Sequence, residues 1–269
     1  MATLVSFHAH PDDACLGCGG VLRKAADEGH RVVIVVATGG EQNNLPDGYL
    51  AAGESLVERR LAEARTCGDI LGVSKVYALG YVDSGEAGAP ANDAPGSFST
   101  SDVEEAARSL AEILRAEDAD VLTTYDDNGG YGHPDHIQCH EVAYRAAEIA
   151  GTPRVYQATG NRDEIRRGLA AQAGEGAELP EVDFGKPESE LTARVDVTRY
   201  LDAKRAAMRA HESQIAEGAI IASFVDLPEP VFRFAFGSEW YIRAGEGPGI
   251  TEHDLMEGPA GSGRQEPAA

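Results

Sequence analysis

Basic residues are scarce in this sequence. Lys and Arg together number 23, against 45 Asp and Glu, which gives a formal net charge of −22 at pH 7. A chain with this charge repels polyanions and offers no surface that neutralises a phosphate backbone. Nucleic acid is therefore excluded from the expected partners.

Long apolar runs and dense cysteines are also missing. No stretch approaches the roughly 20 apolar residues that span a bilayer. The N-terminal segment MATLVSFHAHPDD lacks the basic and apolar regions of a signal peptide. Four cysteines in 269 residues indicate free thiols in a reducing compartment rather than a disulfide framework. We expect a cytoplasmic protein that does not insert into a membrane.

The sequence does contain short β-branched runs that alternate with longer amphipathic stretches. This pattern is typical of parallel strands joined by crossover helices, and it predicts an α/β fold with a Rossmann-like, mostly parallel sheet flanked by helices. RVVIVVA, at residues 31–37, is apolar on both faces, as a central strand covered by helices should be. The predicted strands lie at 3–8, 31–37, 75–79, 120–124, 154–158, 194–197 and 240–243. The predicted helices lie at 17–28, 54–71, 102–116, 135–150 and through 204–211.

The length is within the range of one α/β domain, and we expect a single domain over residues 1–244. Residues 172–190 are rich in Gly, Glu and Pro, which predicts an irregular surface excursion rather than a domain boundary. The chain has the same character from residue 245 onward. We therefore expect residues 245–269 to form a disordered tail.

Five of the eight histidines lie in two short segments, FHAHPDD and GGYGHPDHIQCH. Each segment contains a His-Pro-Asp sequence and follows a predicted strand. The carboxyl ends of parallel strands meet at one edge of an open sheet, where α/β proteins usually bind ligands. The two segments are therefore expected to form one site.

Metal chemistry accounts for the residue types in these segments. A catalytic zinc site takes about three protein ligands from His, Asp, Glu or Cys and leaves one position for water or substrate. His10 and Asp13 lie three residues apart on a strand-to-helix turn and can supply two ligands, and a histidine of the second segment supplies the third. Asp12 is then a free carboxylate that can take a proton from water, while a histidine delivers one to a leaving nitrogen.

These motifs resemble those of the LmbE-like, or PIG-L, family of zinc-dependent N-deacetylases. Members of that family deacetylate N-acetylglucosaminyl-inositol in mycothiol biosynthesis and N-acetylglucosaminyl-phosphatidylinositol. The resemblance runs from about Val5 to Tyr156 and rests on five motifs in the family's order. They are AHPDD with LGCGG at 9–20, TGGE at 38–41, an Arg-rich helix that contains Arg60 and ends in LGV at 71–73, LGYVDSG at 79–85 and GGYGHPDH at 129–136.

The resemblance implies a function and a set of site residues. The activity would be removal of an N-acetyl or other N-acyl group from an amino sugar or similar small metabolite. The implied ligands of Zn²⁺, or of Fe²⁺ or another divalent metal, are His10, Asp13 and His136. The implied catalytic residues are Asp12 as general base, His133 as general acid or electrostatic stabiliser, Asp135 as the group that orients His133, and Tyr131 over the substrate. The implied substrate-binding residues are Arg60 and Asp83.

Other interpretations of the same residues stay open. The motifs also fit an amidase that cleaves a larger amide, such as a mycothiol S-conjugate, and a non-catalytic metal-dependent binding protein. The CxxC of Cys15 and Cys18 lacks a second pair for a structural zinc, and we expect it to pack at a helix start. LGCGG lacks the GxGxxG spacing, so a nucleotide-binding module is least favoured. A homo-oligomer is left open.

One position departs from the family pattern. The family has glutamate directly after the two aspartates, whereas this chain has Ala14. A carboxylate next to a metal ligand orients that ligand or adjusts its charge, and losing such a group typically costs about 10- to 100-fold in metal affinity or activity. The binding-protein hypothesis draws its support from this departure.

We predict that Ala14→Glu raises turnover or metal affinity by about 10- to 100-fold, because it restores that carboxylate. The measurement compares kinetics and metal affinity of the two forms. A loss of activity would indicate a pocket adapted to alanine, with a different substrate preference. Equal values in both forms would show that the position has no influence on the site.

Overall fold

A mostly parallel sheet runs through the molecule, and helices cover both of its faces. In the computed structural model, which describes residues 1–42, 45–173 and 180–257, the sheet has seven strands in the order β3-β2-β1-β4-β5-β7-β6. The strands are β1 (Thr3–His8), β2 (Arg31–Thr38), β3 (Lys75–Tyr81), β4 (Val121–Tyr125), β5 (Arg154–Thr159), β6 (Ala193–Asp196) and β7 (Ser238–Arg243). Strands β1 to β5 are parallel, and β7 is antiparallel to both β5 and β6.

The helices follow in chain order. They are α1 (Asp13–Gly17), α2 (Gly19–Asp27), α3 (Leu56–Leu71), α4 (Val103–Ala116), α5 (Gly129–Gly132), α6 (Pro134–Ala150), α7 (Arg162–Ala173), α8 (Leu201–Arg209), α9 (Glu212–Glu217), α10 (Ile220–Val225) and α11 (Glu229–Phe236). Among the described residues, no helix combines the length and apolar character needed to cross a membrane.

Two apolar cores lie on opposite faces of the sheet. Successive side chains of a strand point to opposite faces, and β2 shows this directly. Val32, Ile34 and Val36 belong to one core, whereas Val33 and Val35 belong to the other. The first core contains residues of α1, α2, α3 and α8, and the second contains residues of α4 and α6. This explains why residues 31–37 are apolar without interruption.

The strand order places the two histidine-rich segments side by side. From β1 the chain adds β2 and β3 on one side, and β4 then pairs with β1 on the other side. The order therefore reverses between β1 and β4, and ligands of open α/β sheets bind in the crevice at the carboxyl ends of such strands. FHAHPDD follows from β1, and GGYGHPDH follows β4. The α/β class, the Rossmann-like sheet and the single domain are confirmed.

The predicted elements differ from the observed ones mainly at short or polar segments. The helix predicted at 17–28 begins earlier, at Asp13, and is interrupted at Cys18, whose φ of −127° is not helical. Helices α7, α10 and α11 were not predicted, because α7 is strongly polar and the other two are short. Of the predicted irregular excursion at 172–190, residues 172 and 173 still belong to α7, and 174–179 lie outside the described residues.

The ordered part of the chain extends past the predicted boundary at residue 244. Leu255 and Met256 are buried in the first apolar core. The Arg194 N–H donates to the Glu252 carbonyl at 3.0 Å. These contacts correct the expectation of disorder for residues 245–257. The segment is polar in composition, and its two buried apolar residues were too few to change that prediction. Residues 258–269 lie outside the described residues.

A buried ion pair joins α2, α8 and β7. Lys204 Nζ lies 2.6 Å from Glu239 Oε1, and the two side chains are 1% and 3% exposed. The Glu239 carboxylate also accepts from the backbone N–H groups of Gly20 and Val21, at 2.8 and 2.9 Å. It therefore satisfies free N–H groups at the start of α2.

We predict that Glu239→Gln lowers the free energy of unfolding by about 3 kcal/mol, because it leaves the Lys204 ammonium buried without a counter-charge. Urea denaturation measures the change. The control is Glu188→Gln, which breaks the exposed pair with Arg167 and should leave stability nearly unchanged. Equal effects of the two variants would contradict the structural role given to Glu239.

Candidate metal centre and active site

Three potential metal ligands converge where the turns after β1 and β4 meet. His10 Nδ1 lies 3.2 Å from Asp13 Oδ2. His136 Nε2 lies 3.5 Å from Asp13 Oδ2 and 3.4 Å from His10 Nδ1. In a tetrahedral zinc site with bonds of 2.0–2.1 Å, neighbouring ligand atoms are about 3.3–3.4 Å apart. The three donor atoms therefore already have the spacing that a tetrahedral metal site requires.

A hydrogen bond to His136 and two carboxylate contacts to His10 indicate which ring nitrogen carries the proton. His136 Nδ1 lies 3.0 Å from the Gly129 carbonyl, which can only accept, so the proton is on Nδ1 and the lone pair on Nε2. His10 Nε2 lies 3.4 Å from Asp135 Oδ2 and 3.5 Å from Asp83 Oδ1. These carboxylates hold a proton on Nε2 and leave the Nδ1 lone pair free. Both lone pairs are thus on the nitrogen that faces Asp13, as metal binding requires.

The charges around the two imidazoles favour a cation. Burial opposes protonation of His10, but Asp13, Asp135 and Asp83 raise its pKa well above the usual range. Burial likewise favours the neutral form of Asp13, whereas His136 and His10 lower the pKa of its carboxyl well below the usual range. Three carboxylates thus surround two imidazoles. This excess of negative charge attracts a proton when no metal is present, and it attracts a metal ion equally.

Gly129 is required by the backbone that orients His136. Its φ is +62°, a conformation that favours glycine. A Cβ at this position would lie 2.7 Å from His136 Cβ and 2.9 Å from the Ile137 nitrogen. A larger residue would therefore displace the carbonyl that accepts the His136 proton. The glycines of GGYGHPDH thus serve the ligand geometry.

Tyr125 is a site residue that the sequence analysis missed. Its hydroxyl donates to Asp13 Oδ2 at 2.6 Å and accepts from the Ala9 N–H at 3.0 Å. Its ring stacks on His136, with centroids 4.1 Å apart and an interplanar angle of 16°. Tyr125 is the last residue of β4, one position beyond the predicted strand end. A tyrosine at the carboxyl end of a strand, directly before DDNGG, was the signal that could have revealed it.

His133 lies beside the three donors but is held differently from the expectation. Its Nδ1 accepts from the backbone N–H of Asp135 at 3.1 Å, so its proton is on Nε2. Burial, with His10 and His136 nearby, lowers its pKa to about 4. The Asp135 carboxylate accepts instead from the Ser84 N–H at 2.9 Å and from the Ser84 hydroxyl, and it faces His10. The carboxylate of Asp135 therefore positions His10 rather than His133.

Asp12 and Tyr131 lie next to the donor atoms without belonging to the donor set. Asp12 precedes Asp13 directly and is only 7% exposed. Tyr131 is 52% exposed, and its ring centroid lies 5.3 Å from that of His136. Tyr131 therefore presents an accessible phenol beside His136, and Asp12 adds a nearly buried carboxylate on the residue before Asp13.

The two positions expected to bind substrate are both buried but differ in their contacts. Asp83 faces His10, and its carboxylate accepts from the N–H groups of Gly85 and Gln42 at 2.8 and 3.1 Å. Arg60 is fully buried on α3. Its guanidinium lies 2.6 Å from Glu217 Oε2 and donates to the Gly40 carbonyl. Arg60 thus contacts the TGGE turn instead of facing open space, as a substrate-binding residue would. The sequence could not show this, because a position on a helix does not reveal which face of the helix is covered.

A second set of potential ligands shares His10. His10, Asp83 and His133 offer ligand atoms that lie within 4.8 Å of one another. The proton positions disfavour this set, because His10 Nε2 and His133 Nε2 are the nitrogens that carry hydrogen. The set of His10, Asp13 and His136 is therefore the better candidate.

Ala14 is fully buried in the first apolar core, together with Cys15 and Cys67. A glutamate at this position would place a carboxylate in that core, and an unpaired buried charge is costly. This burial opposes the gain expected from the family pattern. Whether Ala14→Glu raises or lowers turnover and metal affinity thus shows whether the core contains a partner for the carboxylate.

Comparison with known proteins identifies the family. The model of the PIG-L family, described as GlcNAc-PI de-N-acetylase, matches residues 5–147. A protein of Thermomonospora curvata named 1D-myo-inositol 2-acetamido-2-deoxy-alpha-D-glucopyranoside deacetylase is 36% identical over 287 residues, covering 96% of this chain and 91% of the relative. The family model and this relative are both described as deacetylases, and the chain is accordingly an amide hydrolase of the deacetylase type. The chain belongs to the PIG-L family.

Solved structures share the fold. The zinc-inhibited form of teicoplanin deacetylase Orf2 matches with a TM-score of 0.59 and 20% identity, covering 91% of this chain and 100% of that one. The 4-carboxy-2-hydroxymuconate hydratase GalB of Pseudomonas putida matches with a TM-score of 0.58 and 18% identity, covering 91% and 97%. One neighbour is a deacetylase and the other a hydratase, so at these identities the likeness shows the fold alone.

We predict that Tyr125→Phe weakens metal binding by about 10- to 100-fold, because Asp13 loses its phenolic donor while the ring on His136 is kept. Competition with a chelator of known affinity measures the change. The matched control is Tyr144→Phe, which removes a hydroxyl that accepts from Gln157 on the same face of the sheet. Equal metal affinity in Tyr125→Phe and the unmodified protein would contradict the positioning role.

Proposed function

We propose that this chain is a zinc-dependent N-deacetylase that hydrolyses the acetamide of an amino sugar. Glucosaminides of inositol, acetylated at the 2-amino group, are the substrate class to test first, because the relative from Thermomonospora curvata is named for that activity. The observation that carries the proposal is the spacing of 3.2 to 3.5 Å among the donor atoms of His10, Asp13 and His136. A further carboxylate, that of Asp12, belongs to the adjacent residue of the same turn.

His10, Asp13 and His136 would hold the metal. When bound, a divalent ion supplies positive charge that polarises an acyl carbonyl and makes a nearby water more acidic. The neutral imidazoles and the carboxylate match zinc's preferred ligands. Fe²⁺ and other divalent ions accept the same ligands, so the working metal is part of the test.

Asp12 would act as the proton carrier. Its carboxylate takes a proton from the attacking water as the water oxygen bonds to the acyl carbon. When the carbon–nitrogen bond breaks, the same proton passes to the leaving amine. Acetate and a free amino sugar are then the products, with one water consumed.

His133 and Tyr131 would stabilise the oxygen that becomes negative during attack. With a pKa of about 4, His133 is neutral at pH 7 and presents an Nε2–H donor rather than an acidic imidazolium. This favours the electrostatic role over that of general acid. Tyr131 is exposed and adds a phenolic donor. Fixed donors aimed at a developing oxyanion are typically worth about 10²- to 10³-fold in rate each.

Asp83 would contact substrate hydroxyls through its carboxylate, and Arg60 would act indirectly by holding the Gly40 turn beside the site. The Arg60 guanidinium is covered by Glu217 and Gly40. We therefore propose that Arg60 is a positioning residue. Its replacement should disturb the turn rather than remove a direct contact to the sugar.

The proposal is tested by releasing amine from a panel of N-acyl substrates. Acetylated glucosaminyl-inositol, simple N-acetylglucosamine and a larger thiol-conjugate amide are compared under saturating metal. Preferred release from the acetylated sugars supports the deacetylase, and preferred release from the larger amide supports an amidase instead. Stoichiometric metal without amine release from any member would favour the binding protein and contradict the proposed function.

We predict that Asp12→Asn keeps its metal but loses most turnover, because the amide has the same shape without the base needed for proton transfer. Asp13→Asn is the matched control at the neighbouring position and should instead weaken metal binding. Metal content and turnover are measured on the same samples. Near-normal turnover of metal-loaded Asp12→Asn would contradict the assignment of Asp12 as base.

We predict that His136→Ala lowers bound metal by one equivalent per chain, because the site keeps only two of its three donors. Elemental analysis after reconstitution with Zn²⁺ measures the loss. His140→Ala, one turn later on α6 and hydrogen-bonded to the Tyr125 carbonyl at 3.1 Å, should retain the metal. Unchanged metal content in His136→Ala would exclude this ligand set.

A further inference from the structure

Two thiols and an imidazole converge in the core outside the site described above. Cys15 lies on α1, Cys67 on α3, and His211 directly precedes α9. The three residues are 0%, 1% and 0% exposed. Their potential ligand atoms all lie within 4.8 Å of one another. Three elements that are distant in sequence thus bring soft ligands to one point.

The His211 ring lacks the partners that a buried imidazole normally has. Among the described residues, neither ring nitrogen has a hydrogen-bond partner of ordinary geometry, and both nitrogens are buried. The Cys15 thiol lies beside the ring but donates to the Asp12 carbonyl at 3.0 Å. Burying a polar group without a partner is unfavourable, typically by about 1–3 kcal/mol. Both ring nitrogens are therefore available to bind an ion, since no described residue forms a hydrogen bond with them.

The surroundings of His211 favour a cation as that partner. Burial opposes protonation of His211, but Cys15 and, to a smaller extent, the carboxylates of Asp12 and Glu63 raise its pKa. Glu63 is itself held in place, because it accepts from the Ser213 N–H and hydroxyl at 2.9 and 2.6 Å. Negative charge and unpaired ligand atoms therefore meet at the same buried position.

We propose that Cys15, Cys67 and His211 form a second metal site, for Zn²⁺ or another ion that prefers thiolate ligands. Two thiolates and one imidazole are a recurrent zinc ligand set, and soft sulfur ligands select such ions over Mg²⁺ or Ca²⁺. Binding releases the two thiol protons as two metal–sulfur bonds form. Two sulfurs of a tetrahedral zinc site are about 3.8 Å apart, so only a small contraction of the cluster is needed.

The cluster pairs Cys15 with Cys67 rather than with Cys18. Cys18 lies near Glu239 and Tyr241, on the other side of the helix start. The CxxC spacing in the sequence therefore does not describe the arrangement of the thiols. A metal at the cluster would tie α1 to α3 and α9, and α1 begins at Asp13. The second site would restrain the turn that carries Asp12 and Asp13.

Cobalt substitution tests the proposal on the full-length protein. Thiolate bound to Co²⁺ gives a charge-transfer absorption in the near ultraviolet, whereas a site of His10, Asp13 and His136 contains no sulfur and gives none. Reduced, metal-free protein is titrated with Co²⁺ in the absence of oxygen. We expect the thiolate band in the unmodified protein and in His136→Ala, which loses one equivalent of Co²⁺ but keeps the cluster.

Substitutions within the cluster provide the specificity control. Cys67→Ser and His211→Gln should each lose the thiolate band or shift it to much higher Co²⁺ concentration, whereas Cys18→Ser should keep it. Two cluster variants are used so that a folding defect in one leaves the other decisive.

Three outcomes would overturn the second site. The first is Co²⁺ binding by the reduced, unmodified protein without a thiolate band. The second is a band that persists in Cys67→Ser. The third is a count of two free thiols instead of four in the purified, denatured protein, with a disulfide between Cys15 and Cys67. That last result would assign the cluster to redox chemistry and not to a metal.

Discussion

The proposed metal centre depends on where two imidazole protons lie. The Gly129 carbonyl holds the proton of His136 on Nδ1, and the carboxylates of Asp135 and Asp83 hold that of His10 on Nε2. Both lone pairs are left on the nitrogen that faces Asp13. If either proton moved to the other nitrogen, a donor would point at the metal position and the set would fail. The glycine turn, the Ser84 contacts of Asp135 and the backbone contacts of Asp83 all serve this placement.

Much of the fold, and the proximity of His10, Asp13 and His136, could be predicted from the sequence. Strands β1 to β5 have an apolar or β-branched pattern that local physics determines, and His10, Asp13 and His136 lie in two motifs at strand ends. The antiparallel pairing of β7 and the short helices α10 and α11 depend on packing between distant segments. Periodicity carries no information about such packing. The strand at β7 was therefore predicted without its pairing, and the two short helices were not predicted.

The roles of individual side chains were less predictable than the ligand set. Tyr125 holds Asp13 from the end of β4. Its place at the strand end before DDNGG indicates a residue near the site, but not that its hydroxyl contacts Asp13. Arg60 and Asp135 lie in family motifs, yet their contacts depend on which face of a helix meets which neighbour. Arg60 pairs with Glu217, which lies 157 positions away. Contacts at that separation follow from the assembled fold, so a motif identifies the residue without identifying its partner.

The fold alone does not determine the chemistry, because a hydratase and a deacetylase both share it. The proposed deacetylase chemistry therefore depends on the donor atoms of His10, Asp13 and His136. Anomalous diffraction from crystals of the zinc-loaded protein tests it most directly. The account predicts a metal peak at the edge of the sheet bonded to His10 Nδ1, Asp13 and His136 Nε2, at distances of about 2.0–2.2 Å. A peak bonded instead to His10 Nε2, Asp83 and His133 would contradict it.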